Sequence, residues 1–105
     1  GYTGYIRYGT CKLPLAPIQT PQTEIHQLYI DPRAQGYGVG KALMQAALDA
    51  LTPISGEICL GVWSQNFRAQ NFYQRFGFEK VGEYDFRVGK HADHEFIYRK
   101  LIPAV

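Results

Sequence analysis

The chain has 105 residues, 46% hydrophobic and 19% charged, with eleven Lys and Arg against nine Asp and Glu for a net charge of +2. That is one domain with an ordinary soluble composition, and a net charge this small does not argue for nucleic acid, whose binders show a concentrated basic face. No run reaches the ~18 apolar residues of a membrane span, and Gly1-Tyr2-Thr3-Gly4 carries no signal pattern, so a cytoplasmic protein without membrane or nucleic-acid partners is expected.

Tyr2 to Tyr8 is rich in β-formers and reads as a first strand. Pro14, Pro17 and Pro21 exclude regular structure from Leu13 to Gln22, which is a loop. Glu24 to Ile30 is a second strand, stopped by Asp31-Pro32. Alternation puts Glu24, His26, Leu28 and Ile30 on one face and Ile25, Gln27 and Tyr29 on the other. After a glycine cluster, Val39, Ala42, Leu43, Ala46, Ala47, Ala50 and Leu51 recur at helical spacing and predict one continuous apolar face. Thr52-Pro53 ends that helix. Ile58 to Trp63 is apolar throughout, as a strand covered on both faces is. Asn66 is placed to cap a second helix whose buried face is Ala69, Phe72, Tyr73 and Phe76; Gly77 closes it and Phe78 folds back onto it. Val81 to Val88 alternates again, Gly89 to Asp93 is a polar turn, and His94 to Leu101 returns as the second strand of a hairpin.

This order, without repeat or linker, predicts a single α/β domain over residues 1–105, a mixed sheet with a parallel pair in its middle. Cys11 and Cys59 form no metal or redox motif, and Cys59, inside an apolar run, is expected to be a buried free thiol. His91, Asp93, His94 and Glu95 collect at the hairpin tip without a zinc-ligand spacing, so no metal is expected.

Gln35-Gly36-Tyr37-Gly38-Val39-Gly40-Lys41 lies between a strand and a helix N-terminus. Glycines let the backbone come close to an anion, and the helix start supplies unpaired N–H donors with about half a positive charge. A pyrophosphate is the natural occupant. The dinucleotide fingerprint fails because the third glycine comes one residue early, and the ATP-binding P-loop fails because Ala42 follows the lysine after too short a loop. A glycine-rich turn without a ligand is the remaining alternative.

Gln35-x-x-Gly38-x-Gly40 resembles the Q/R-x-x-G-x-G/A motif of the GNAT superfamily of N-acetyltransferases. Asn66-Phe67-Arg68-Ala69-Gln70-Asn71-Phe72-Tyr73, followed by Gly77-Phe78, is similar to the same family's N-x-x-A-x-x-F-Y-x-x-x-G-F helix. The two motifs stand in the family's order, and the resemblance runs from the first strand to Leu101. It implies the acyl-CoA N-acyltransferase fold, mostly antiparallel with a central splayed parallel pair flanked by helices, and acetyl-CoA as cosubstrate. The backbone amides of Gly36, Tyr37, Gly38, Val39, Gly40 and Lys41, after Gln35, would hold the coenzyme A pyrophosphate. Leu28, Tyr29 and Ile30 would line the pantetheine arm, one of their amides polarising the thioester carbonyl. Arg33 and Lys41 would meet the remaining phosphates or are solvated surface charges. Asn66 would touch the cosubstrate besides capping its helix.

Tyr73 matches the family's general acid, and a phenol with a pKa near ~10 is protonated at neutral pH. Glu24 matches the general base of some members, while others use water or a different carboxylate. An amine of pKa ~10.4 is neutral in about one molecule in 2500 at pH 7, so a base has a task here. The resemblance thus implies direct acetyl transfer to a small-molecule or peptide amine; the alternative is a non-catalytic acyl-CoA-binding module. Because the family's fold opens with elements before the strand that Tyr2 to Tyr8 resembles, the chain is expected to be N-terminally incomplete: either it is the ordered portion of a longer protein, or it associates, as a homodimer or otherwise, through its first strand edge.

Overall fold

The computed structural model describes residues 4–36 and 38–103. β1 (Gly4–Thr10) and β2 (Gln22–Ile30) precede a single 3-10 turn at Pro32–Ala34 and the helix α1 (Val39–Leu51). A second 3-10 turn, β3 (Glu57–Trp63), α2 (Phe67–Arg75), β4 (Glu79–Val88) and β5 (His91–Leu101) follow. The five strands lie in the order β1-β2-β3-β5-β4, every pair antiparallel except β2 with β3. The expected mixed α/β sheet with a central parallel pair is therefore present, and no helix among the described residues is long and apolar enough to cross a membrane. β1 starts at the third residue of its expected range, Tyr2 and Thr3 lying outside the described residues.

The parallel pair is short. Gln22, Thr23 and Glu24 oppose Glu57, Ile58 and Cys59, and beyond that row no β2–β3 pairing remains. The strands part there, and the sheet is open between them.

The strict alternation expected along β2 does not hold. Ile6 opposes Leu28 and Tyr8 opposes Ile25, so two residues of β1 face three of β2 and His26 is the extra one. This bulge shifts the phase by one residue. Ile25 and Leu28, expected on opposite faces, both pack on the core formed by Met44, Leu48 and Leu51 of α1 with Ile58, Leu60 and Val62 of β3. Glu24, next to Ile25, points to the other face.

The buried stripe of α1 is also rotated from the expected one. Met44, Ala47, Leu48 and Leu51 are buried, whereas Ala42, Ala46 and Ala50 are exposed. Met44 and Leu48 each bring several methylenes out of water where an alanine brings one methyl, so the larger side chains win the inward face. α2 follows expectation more closely. Asn66 accepts a hydrogen bond from the Ala69 N–H at 3.1 Å, and Ala69, Phe72, Tyr73 and Phe76 pack against the core. Gly77 has φ 89°, and the Phe78 N–H donates back to the Tyr73 carbonyl at 3.2 Å, which buries the Phe78 ring.

The loop 11–21 covers the other face of β3 at Glu57 and Cys59 only; Gly61 and Trp63 on that face are exposed, so the two-sided cover expected of this strand stops halfway along it. The buried Glu57 carboxylate accepts from the backbone N–H groups of Ile18 and Gln19 at 2.6 and 2.7 Å, from Gln22 Nε2 at 3.2 Å and from Arg99 Nε at 2.9 Å. Burial pushes this acid up, but those donors outweigh it and hold Glu57 below the usual carboxylate range. Under the same loop the sulfurs of Cys11 and Cys59 lie 3.0 Å apart as free thiols. Burial, then the Cys11 sulfur, pushes the Cys59 thiol up, so it is inert at neutral pH.

Candidate functional site

A cleft of about 940 Å³ runs along the helical side of the sheet, between the end of β2, the start of α1 and one face of α2. Its floor is the glycine loop. Gly36 has φ 89° and Gly38 φ 76°, a region L side chains avoid, and a Cβ built on either would meet no atom within 4 Å. Gly40 differs from both, since a Cβ there would sit 3.4 Å from the Ile30 side chain and 3.7 Å from the Phe72 ring, ordinary packing distances that place the start of α1 against β2 and α2.

Among the described residues the first bond of α1 runs from the Ala42 N–H to the Gly38 carbonyl at 3.0 Å. The N–H groups of Val39, Gly40 and Lys41 therefore have no partner inside the helix and point toward the cleft end of its dipole. Lys41, Arg68 and Arg75 line the same space, and no carboxylate is among the described lining residues. Backbone donors, a helix N-terminus and three cations together favour a multiply charged anion.

Most residues expected from the sequence converge here. Leu28, Tyr29, Ile30, Gln35, Gly36, Gly38, Val39, Gly40, Lys41, Asn66 and Tyr73 all line the cleft. Tyr37 lies outside the described residues. Arg33 does not line it: its guanidinium turns back onto Asp31 in an ion pair at 2.8 Å and is 88% exposed. Arg68 and Arg75 stand in the cleft instead. Both are one helical turn or two from residues already named on α2, and helical spacing from Phe72 would have found them.

Tyr73 lies at the aromatic end of the cleft, packed edge-on to Phe72 and Phe78 with ring centroids 5.6 and 6.1 Å away. Burial pushes its phenol above the ordinary tyrosine value, which keeps it protonated. Its helix is tied down by Gln70, a buried residue the sequence reading passed over. Gln70 Nε2 donates to the Ser64 carbonyl at 3.0 Å, and the Tyr98 hydroxyl donates to Gln70 Oε1 at 3.0 Å.

Glu24 is not in this cleft. It sits on the loop-covered face, opposite Cys59, at the last paired row before β2 and β3 part. Its Oε1 accepts from the Lys12 N–H at 2.7 Å and its Oε2 lies 3.2 Å from His26 Nδ1. The opening in the sheet separates it from the cleft side. At the hairpin, a two-residue turn at Gly89-Lys90 replaces the longer turn expected, and β5 begins at His91. His94 bonds Asp85 at 2.9 Å and Glu83 at 3.1 Å on the exposed side, and among the described residues no three such groups converge as a metal would need.

Residues 1–78 match the model of the Acetyltransferase (GNAT) family. The chain is 38% identical over 68 residues to a protein of Bacillus subtilis (strain 168) named spermine/spermidine N(1)-acetyltransferase, covering 63% of this chain and 45% of the relative. Among solved structures, PH1933 of Pyrococcus horikoshii OT3 superposes with a TM-score of 0.73 at 28% identity, covering 97% of this chain and 59% of that one. A chain of the NatC complex, solved with Gag peptide and CoA, superposes with a TM-score of 0.79 at 22% identity over 96% of this chain and 62% of its own. The chain spans about half the length of the curated relatives it matches.

Proposed function

The chain belongs to the Acetyltransferase (GNAT) family, and on that footing we propose that it moves an acetyl group from acetyl-CoA to a primary amine, by direct attack in a ternary complex. The observation that carries this reading is the cleft, whose glycine floor opens at a helix N-terminus and whose charged lining is Lys41, Arg68 and Arg75 with no described acid. Such a wall fits the diphosphate of coenzyme A, and the open space over Gly36 and Gly38 fits a group lying against the backbone. Gly36, Gly38, Val39, Gly40 and Lys41 bind the pyrophosphate through main-chain N–H groups. Lys41, Arg68 and Arg75 meet the outer phosphate. Leu28, Tyr29 and Ile30 run beside the pantetheine arm.

Tyr73 acts as general acid and gives its phenolic proton to the departing thiolate. Glu24 acts as general base, taking the ammonium proton through water in the opening between β2 and β3. The acceptor is a small-molecule amine; the 38% identity to a protein named for acting on spermine and spermidine supports that choice. Titration of acetyl-CoA into the full-length protein, paired with thiol release across an amine panel, tests the reading. Micromolar binding with amine-dependent thiol release is expected, whereas binding without release for every amine would leave an acyl-CoA-binding module.

A further inference from the structure

The face of the sheet opposite the cleft carries a recess that the proposed chemistry has used only at Glu24. Its floor is Gly61, exposed although it lies in the central strand β3. A Cβ built on Gly61 would meet the Leu13 side chain and the Tyr84 hydroxyl, each at 3.4 Å, so these two side chains wall the space above it. Tyr84 belongs to β4, so its hydroxyl reaches Gly61 across β5, whose Ile97 stands in one row with Gly61 and Gly82.

Glu95 borders the recess on the other side from Glu24. It stands in one cross-strand row with Trp63 of β3 and Tyr84 of β4. Its neighbours Phe96 and Tyr98 differ in facing: both pack toward the helical core, which leaves Glu95 on the recess side with Ile97. Glu95 Oε2 is shut off from solvent and has no hydrogen-bond partner among the described residues. A carboxylate oxygen held that way is costly unless something donates to it. Burial pushes the Glu95 carboxyl up, as does Asp93, and Tyr84 is pushed up by burial and then by Glu95 and Glu24, so both acids act on the phenol between them. From the row spacing the two acids are about 16 Å apart at Cα, with the apolar floor and Leu13 between their side chains.

We propose that Glu95 holds the second ammonium of a diamine or polyamine acceptor, whose methylene chain crosses Gly61 between Leu13 and Tyr84 while its reacting amine lies on the Glu24 side. The inference rests on the acetyl-transfer reading and narrows its acceptor from any primary amine to one with two cations. Glu95 is then a specificity-determining residue. It donates and accepts no proton in the reaction, and its effect falls on acceptor binding.

The test is binding to the CoA-loaded full-length protein at ~150 mM salt, where non-specific attraction is screened. Binding of 1,4-diaminobutane should exceed that of butylamine at least tenfold. Glu95→Gln, which keeps the shape, should weaken the diamine at least tenfold, leave butylamine unchanged and leave acetyl-CoA affinity unchanged. Glu83→Gln, outside the recess, should change neither amine, and Glu95→Asp should restore part of the preference. Equal binding of the two amines, or a diamine affinity indifferent to Glu95→Gln, overturns the proposal. Glu95-dependent diamine binding without thiol release for any amine would overturn the acetyl-transfer reading and with it the acceptor role, leaving the diamine as a bound ligand of Glu95.

Discussion

Replacing Gly38 separates two roles that one glycine plays. Its φ of 76° favours glycine, and the space over it is open for at least 4 Å. Gly38→Ala should therefore cost about 1–2 kcal/mol of folding stability through backbone strain, while its single methyl leaves the binding surface largely intact. Gly38→Glu adds the same strain and a carboxylate projecting toward the site of the pyrophosphate. At ~5 Å from two negative charges, the repulsion is roughly 7 kcal/mol at an effective dielectric of ~20 and roughly 2 kcal/mol at ~80. The loop is exposed, so a value of about 2–4 kcal/mol is expected, a loss of roughly 30- to 900-fold in acetyl-CoA affinity. Titration calorimetry reads this directly, with chemical denaturation measuring the strain separately. Gly38→Glu binding within threefold of the unaltered protein, in a sample shown to be folded, would refute the placement of the pyrophosphate.

Tyr73→Phe preserves the ring contacts with Phe72 and Phe78 and removes only the hydroxyl, so turnover should fall ten- to a thousandfold with acetyl-CoA affinity and stability little changed. Single-turnover kinetics checks it, and unchanged chemistry would return Tyr73 to a packing role. Glu57→Gln leaves Arg99 without its charged partner in a buried site, and denaturation should show a loss of about 3–5 kcal/mol. Because Glu57 is held below its ordinary value of 4.5, it stabilises the fold above that pH and loses the contribution as pH falls through the folded value. Denaturation midpoints followed below pH 5 should drop more steeply in the unaltered protein than in Glu57→Gln.

The parts of the site that depend on adjacent residues were legible in the sequence. The glycine loop needs backbone freedom at fixed steps before a helix, and the α2 motif needs a cap, a stripe and a closing glycine, all within a dozen residues. What depends on distant partners was not. His26 carries no mark of a bulge, since the extra residue is defined only by the strand lying beside it, and one such residue inverted the facing read for half of β2. Alanine counts as apolar in a periodic pattern yet gains little from burial, so the α1 stripe was drawn through Ala42, Ala46 and Ala50 rather than Met44 and Leu48. Glu57, Gln70 and Glu95 carry no local sign of burial because their surroundings come from elsewhere in the chain. The Cys11–Cys59 contact joins sulfurs 48 residues apart and has no local pattern.

The ties from Glu57 to the loop 11–21 bear on how that segment moves in time. Ile18 and Gln19 belong to no strand or helix, and in a free coil their amide hydrogens would trade with water almost as fast as those of an unfolded peptide. Here each of those N–H groups is engaged by a carboxylate that is fully enclosed, and Gln19 adds bonds of 2.6 and 2.9 Å from its side chain to the carbonyls of Gly56 and Ile102. Releasing either amide means uncovering a buried charge, an event as rare as opening the sheet beneath it. Amide exchange at Ile18 and Gln19 should therefore keep pace with Ile58 and Leu60 in the central strand, so that a stretch rich in proline and devoid of regular structure opens and closes as one body with the sheet.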